Sequence, residues 1–290
     1  MTEPQAVITG GTAGIGFEIA RGLLRHGHAI HITGRNRERG SAARQRLLDE
    51  FPSASVTLHC HDLAEPDQLA ALADAVERDL SATGIQVLVH NAGLMNARRE
   101  TNSLGWELML AANHLAPFEL SRRWLPLLRP QTTAGDPPRM LVIASDAHRW
   151  VRTIDLEDLQ LTRNYRPIKA YARSKLANVL FARELARRLP DDRPLALSAI
   201  HPGGVATTIG FHAPWWMALF WRLFHWRLLK PEQAAEPIIE VAVAKRWLTL
   251  RGDYLNQGTP QAASRAGRDE GLARRLWQRS EEIVGRSFQP

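Results

Sequence analysis

Tyr171 and Lys175 stand four positions apart in the stretch Tyr171-Ala172-Arg173-Ser174-Lys175. On a helix, residues at that spacing share a face, so the ammonium sits one turn from the phenol. A free phenol ionises near pH ~10, too high for a good base near neutrality. A nearby cation favours the phenolate and lowers that value. The pair therefore suits moving a proton to or from an alkoxide. On its own such a pair is usually an exposed helix contact, but Ser145 shifts that weighing. It follows the apolar run Met140–Ala144, and a hydroxyl at a strand end can hydrogen-bond and polarise a substrate oxygen. An alkoxide that needs a proton is what hydride delivery to a carbonyl carbon produces, and the hydride must come from a cofactor.

A turn able to hold such a cofactor follows the first apolar run: Thr9-Gly10-Gly11-Thr12-Ala13-Gly14-Ile15-Gly16. Glycines let the backbone turn tightly and approach a pyrophosphate without an intervening side chain. The helix that opens there offers free N–H groups and partial positive charge. The spacing is G-x-x-x-G-x-G rather than the commoner G-x-G-x-x-G. About 20 residues on, an NAD site places an acid for the ribose hydroxyls. Here the second strand ends in Thr33-Gly34-Arg35-Asn36, with an arginine and no acid. A guanidinium suits a 2′-phosphate, so NADP, with NADPH preferred over NADH, is the expected cofactor.

The elements that must position these residues alternate. Strands are expected at Gln5–Thr9, His28–Thr33, Ser55–His59, Gln86–Val89, Met140–Ala144 and Leu195–Ile200. Helices are expected at Ile15–His26, Glu38–Phe51, Pro66–Leu80, about Ser103–Leu128 and about Lys169–Leu189. Regular βα alternation with apolar strands implies an α/β fold: a Rossmann-type doubly wound parallel sheet with helices on both faces. In such sheets ligands bind outside the carboxyl ends of the strands. From about Thr208 the alternation fails, and this part is expected to cover the ligand site or pack at the sheet edge. One domain over 1–290 follows, with a cofactor and catalytic core at 1–207. A helical substrate-covering lid and C-terminal extension would fill 208–290.

The ordered set of motifs resembles the short-chain dehydrogenases/reductases from about Gln5 to Thr207. The family's glycine turn matches Thr9, Gly10, Gly14 and Gly16, with Thr12 and Ile15 inside it. Its adenine-side acid matches Asp62, followed by Leu63, and its Asn-Ala-Gly stretch matches Asn91-Ala92-Gly93. Its helix asparagine matches Asn113, its serine Ser145, and its Tyr-x-x-x-Lys pair Tyr171 and Lys175. Its Pro-Gly and downstream threonine match Pro202-Gly203 and Thr207. The resemblance implies that Tyr171 is the acid/base and that Lys175 also reaches the cofactor ribose. It further implies that Asn113 helps hold a water linked to Lys175. Ser145-Asp146-Ala147-His148, Ser174–Phe181 and His201-Pro202-Gly203 are most similar to the branch of retinol dehydrogenases and their bacterial relatives. The gap from Ser145 to Tyr171 is 26 positions, about twice that of many family members, and the resemblance implies that this branch carries an insertion there. Asp146 departs from the family, where a second serine is common.

Other signals weigh less. His59-Cys60-His61 would place two histidines on one strand face, but no further cluster supplies the remaining ligands, and no metal is expected. The net charge of +7 is spread along the chain, so no nucleic-acid partner is expected. One cysteine, Cys60, excludes an intrachain disulfide, and the absence of a secretory signal adds to a cytoplasmic expectation. Pro214–Leu229 is rich in tryptophan but too short and charged to span a bilayer. It is expected either to pack as a core helix or homodimer contact, to cap a pocket for a lipophilic substrate, or to make a peripheral membrane contact. The leading expectation is an NADP(H)-dependent enzyme interconverting a ketone or aldehyde and its alcohol. A C=C reductase and a non-catalytic cofactor-binding protein are the alternatives.

Overall fold

Apolar four- to six-residue runs form the strands of one sheet in the computed structural model, which describes residues 3–130, 135–205 and 228–290. The strands are β1 (Gln5–Ile8), β2 (Ala29–Gly34), β3 (Val56–Cys60), β4 (Val87–His90), β5 (Arg139–Ile143), β6 (Ala196–His201), β7 (Arg251–Asn256) and the two-residue β8 (Thr259–Pro260). Their order is β3-β2-β1-β4-β5-β6-β7-β8. Every pairing is parallel except β7 with β8. The order reverses beside β1, between β2 and β4, which is where such sheets open a crevice for ligands.

Alternate residues of each strand feed two cores. Ala6, Ile8, Ile30, Ile32, Val87, Val89, Leu141 and Ile143 pack with the helices of one face. These are α1 (Gly14–Arg25), α2 (Arg37–Glu50) and α7 (Pro231–Val243). Val7, Leu88, Met140, Val142 and Leu197 face the other way, toward α3 (Pro66–Leu80), α5 (Ala116–Trp124), α6 (Pro167–Arg188) and α8 (Glu270–Val284). Local signals fix the ends. Asn36 accepts from the Arg39 amide at the start of α2, Pro66 opens α3, and Gly285 closes α8 in the left-handed region.

Two expectations change. The helix expected from about Ser103 starts at Leu108, as a one-turn α4 (Leu108–Leu110) capped by Glu107, whose carboxylate accepts from Met109 and Leu110. Asn102 folds the preceding residues into a turn by accepting from the amides of Leu104 and Trp106. Side-chain competition of this kind overrides an apolar pattern. The alternation said to fail after about Thr208 resumes at Pro231: α7 crosses the sheet against α1, and β7 adds to the edge beside β6. This part does pack at the sheet edge, as one of the two expectations had it. Thr207 and residues 214–227 of the Pro214–Leu229 segment lie outside the described residues.

The chain closes on an aromatic cluster. Phe118, Trp277 and Phe288 lie within 5.4 Å of one another, ring centre to centre, with Phe181 against Phe118 and Trp277. Phe288 is buried, and its amide donates to Glu281. Removing a buried ring costs about 3–5 kcal/mol. Phe288→Ala is therefore expected to lower the unfolding free energy by that amount, read as a reduced urea midpoint at unchanged slope. A change under about 1 kcal/mol would mean the tail contributes little to the fold.

Candidate active site

The glycine turn is tight because side chains have no room there. Gly10 has φ +66°, and a Cβ on it would stand 3.0 Å from the Ala92 Cα. A Cβ on Gly16 would come to 2.3 Å from the Gly10 carbonyl oxygen. Helix α1 thus starts almost on the end of β1, and its first turn has no side-chain cap at Ala13. The turn is braced from both neighbouring strands. Thr33 accepts from the Gly10 amide, and Asn91 donates to the Thr9 and Gly10 carbonyls. The Thr9 hydroxyl accepts from the amides of Asn91 and Ala92.

Beyond this turn lies a groove of about 310 Å³. Gly10, Thr12, Gly14, Ile15, Gly16, Arg35, Asp62, Leu63, Asn91, Ala92 and Gly93, all expected to touch the cofactor, are among its lining residues. Thr33, Asn36, Arg39, His61, Leu94, Met95 and Ala112 line it as well. Arg39 was legible: it stands four positions from Arg35 in a turn capped by Asn36. Asp62 spends one carboxylate oxygen on the Ala64 amide, and its other oxygen is 4.0 Å from Arg35. Pro202 and Gly203 are not among the lining residues. Gly203, at φ +95°, packs against Leu229 and Gln257.

The four residues picked for chemistry are not among the lining residues either; Gly93 and Leu94, which are, touch on Asn113 and Lys175. Asn113 lies in a π turn (Ala111–Leu115) between α4 and α5, an irregularity frequent at functional sites. Its amide holds Leu94 through both N–H and carbonyl, and donates to the Ser174 hydroxyl. Ser174 in turn donates to the Tyr171 carbonyl. Gly93 separates Asn113 from Lys175: a Cβ there would lie 3.4 Å from the Asn113 Oδ1 and from the Lys175 Nζ alike. Lys175 is buried and donates to the Ile143 carbonyl at 3.0 Å.

Burial dominates the electrostatics. It pushes the Tyr171 phenol up to about 12, against a hydrogen bond with Ser145 that pulls it down. It brings the Lys175 ammonium down to about 8. The ammonium sits 5.7 Å from the Tyr171 ring centre. The lysine was expected to lower the phenol from one turn away. Instead its charge is directed at the Ile143 carbonyl, and desolvation sets the phenol. As built, the site holds a protonated tyrosine.

Ser145 is held by its neighbours in the Ser145–His148 stretch, which are fixed in turn by partners more than 100 positions away. His148 is fully buried. Its Nδ1–H donates to the Ser145 carbonyl at 2.7 Å, and its Nε2 accepts from the Ser264 amide at 3.1 Å. That pair of bonds requires a neutral imidazole, and burial accordingly lowers its basicity. Asp146 accepts from the Tyr254 hydroxyl and from Arg149, so this departure from the family fastens the serine loop to β7. His148→Phe strands two buried backbone groups, at about 1–3 kcal/mol. It is expected to lower kcat by about tenfold to a hundredfold with cofactor Kd unchanged, and His148→Gln to recover part of the loss. Unaltered kcat in His148→Phe would reduce His148 to packing.

Comparison with known proteins agrees with this geometry. The short chain dehydrogenase family profile matches residues 4–149. Mouse (Mus musculus) polyprenol dehydrogenase is 34% identical over 287 residues, covering 97% of this chain and 83% of its own. Human (Homo sapiens) retinol dehydrogenase 13 is 33% identical over 285 residues, covering 96% and 84%. A crystal structure of an uncharacterized protein from Mycobacterium paratuberculosis superposes with a TM-score of 0.78 at 28% identity, covering 99% of this chain and 95% of that one. The chain belongs to the short-chain dehydrogenase/reductase family, in its retinol dehydrogenase-like branch, and is an oxidoreductase of alcohols and carbonyls that binds a nicotinamide cofactor.

Proposed function

We propose that this enzyme uses NADP(H) to interconvert a lipophilic ketone or aldehyde with its alcohol, and that Tyr171 moves the proton. The observation that carries the reading is the Tyr171 phenol beside the Ser145 side chain, with the buried Lys175 ammonium 5.7 Å from its ring centre. The glycine cradle fits a dinucleotide: Gly10 and Gly16, where a Cβ would strike Ala92 and the Gly10 carbonyl, let α1 start against the end of β1 and turn its free N–H groups toward the groove. Gly14, Ile15 and Gly16 would hold the phosphates at the start of α1, and Asp62 and Leu63 the adenine. Arg35 and Arg39, at the far end of the groove, would take the 2′-phosphate. When bound, the nicotinamide supplies or accepts the hydride.

The residues of this chain do the rest. Ser145 and Tyr171 hydrogen-bond the substrate oxygen and hold the carbonyl for attack. In reduction Tyr171 gives its proton to the forming alkoxide; in oxidation it takes one. The charge on Lys175 favours the phenolate left behind. Asn113 keeps the Leu94 backbone and the start of this helix in register. A lipophilic substrate is supported by relatives named for polyprenol and retinol.

Purified protein with NADPH and a homologous series of aldehydes or ketones tests this reading. Tyr171→Phe is expected to bind NADPH normally and to lose about a hundredfold to ten-thousandfold in kcat. A phenol held up at about 12 stays protonated across the accessible range, so the pH dependence of reduction belongs to the lysine, at about 8. Lys175 is charged below that value and loses its charge above it. Reduction should therefore fall as pH rises through about 8, and Lys175→Met should abolish that limb. Near wild-type turnover in Tyr171→Phe would assign the proton to another group.

The cofactor preference has its own test. Losing one charge-assisted phosphate contact weakens binding by about tenfold to a hundredfold. Arg35→Ala and Arg39→Ala should each do so for NADPH and leave NADH nearly unaffected, read by fluorescence titration. Equal losses for both cofactors would remove the arginines from phosphate recognition.

A further inference from the structure

Outside the groove and the catalytic quartet, His31, His59 and Asp79 form a cluster among the described residues. His31 is on β2 and His59 on β3. The register pairs His31 with Thr57 and Thr33 with His59, so the two imidazoles leave the sheet on one face as diagonal neighbours. Asp79 reaches them from the last turn of α3, which covers that face. The sequence reading sought partners for His59 along its own strand, at His61. β3 ends at Cys60, His61 turns into the cofactor groove, and the partner comes from the next strand.

The His31 Nδ1 is 3.0 Å from the His59 Nε2, with the ring planes within 15°. One proton occupies that gap, donated by one ring to the other. The Asp79 Oδ2 is 3.8 Å from the same His59 nitrogen, too far for a hydrogen bond. All three atoms fall within 4.8 Å of one another. Both imidazoles are buried, whereas the Asp79 side chain is 41% exposed, so the cluster opens to solvent on the carboxylate side only.

We propose that His31, His59 and Asp79 bind one divalent cation of the zinc, cobalt or nickel kind at the β2–β3 edge of the sheet. Two imidazoles and a carboxylate suit such borderline ions, whereas magnesium and calcium select oxygen donors. Ligand atoms bound at ~2.0–2.1 Å around a tetrahedral ion stand about 3.3 Å apart. The separations of 3.0 and 3.8 Å bracket that value, and the third, between His31 and Asp79, is at most 4.8 Å, so a swing of the exposed carboxylate toward the imidazoles completes the set. The ion displaces the shared proton, and water from the open side supplies the fourth ligand. Bound there, it fastens β2, β3 and α3 together behind the adenine end of the groove, where His61 and Asp62 follow β3.

The full chain, cleared of metal with a chelator, is titrated with Zn²⁺ by calorimetry and with Co²⁺ by visible absorption. The wild type is expected to show the d–d bands of four-coordinate Co²⁺ and paramagnetic shifts of the His31 and His59 ring signals, while Mg²⁺ gives no response. His59→Gln should lose the bands. Asp79→Asn changes an exposed side chain and preserves the fold even if His59→Gln does not; it should weaken Zn²⁺ by about tenfold or more. Absence of d–d bands in the wild type overturns the site. So does Zn²⁺ affinity unchanged in Asp79→Asn, or Co²⁺ shifts confined to other histidines, since either places the ion elsewhere.

Discussion

The contact on which the site rests is the approach of α1 to the end of β1. Gly16 lies against the Gly10 carbonyl with no space for a methyl group. Only that closeness brings the unpaired N–H groups of the first helical turn to the mouth of the groove. The turn is then tied outward in sequence. Thr33 holds Gly10 from β2, and Asn91 holds Thr9 and Gly10 from β4. Directly after Ala92-Gly93 comes Leu94, which Asn113 grips, and Asn113 passes the tie to Ser174 and so to the Tyr171 backbone. The phosphate end and the proton-transfer end are thus joined by one run of hydrogen bonds across three strand ends and two helices. Its members are buried or half-buried, where a satisfied bond is stronger and an unsatisfied one costs more.

Within that frame, burial does more to the catalytic pair than their proximity does. A phenol and an ammonium 5.7 Å apart by ring centre attract each other's charged forms. Yet desolvation raises one and lowers the other, so each is driven toward neutrality. The two effects oppose, and at this distance, with the ammonium bonded to the Ile143 carbonyl, desolvation wins. An enzyme poised this way keeps its phenol protonated at neutral pH, a weaker acid than free tyrosine but one still able to protonate a far more basic alkoxide. Accepting one requires added positive charge near the phenol.

Much of this was legible because βα folds place function directly after strands. Gly10–Gly16, Asp62, Asn91–Gly93 and Ser145 each follow a recognisable apolar run, and Tyr171 and Lys175 sit within one helix at a spacing that fixes a shared face. What was not legible has a common physical origin: it depends on residues far apart in the chain. His148 has meaning only beside Ser264, 116 positions away, and Asp146 only beside Tyr254, 108 away. His31 and His59 are 28 apart and meet through strand register. The start of α4 was misplaced because Asn102 and Glu107 claim backbone amides that an apolar count does not see. The sign of the shift at Tyr171 depends on which way the Lys175 ammonium points, and spacing cannot supply that.

Helix α6 shows how one element serves two tasks. Residues 171, 175 and 178 lie at the i, i+4, i+7 spacing of a single face, and both Lys175 and Asn178 donate to the Ile143 carbonyl at the end of β5. Arg173 points away from that face. Its guanidinium is buried and donates to the carbonyls of Asp155 and Asp158, in the insertion between Ser145 and Tyr171. Asp158 closes its own turn by accepting from Thr162 and Arg163. Gln160 accepts from Arg99 and from the Glu107 amide, linking the same insertion to the residues that start α4. The insertion is therefore held from the back of the helix whose front carries the proton-transfer pair, and from the cap of the helix that leads to Asn113. A buried cation satisfied by carbonyl oxygens tolerates little displacement, because losing either partner leaves charge in a low dielectric. The added loop of this branch thereby becomes part of the frame that fixes Tyr171 and Asn113 relative to each other.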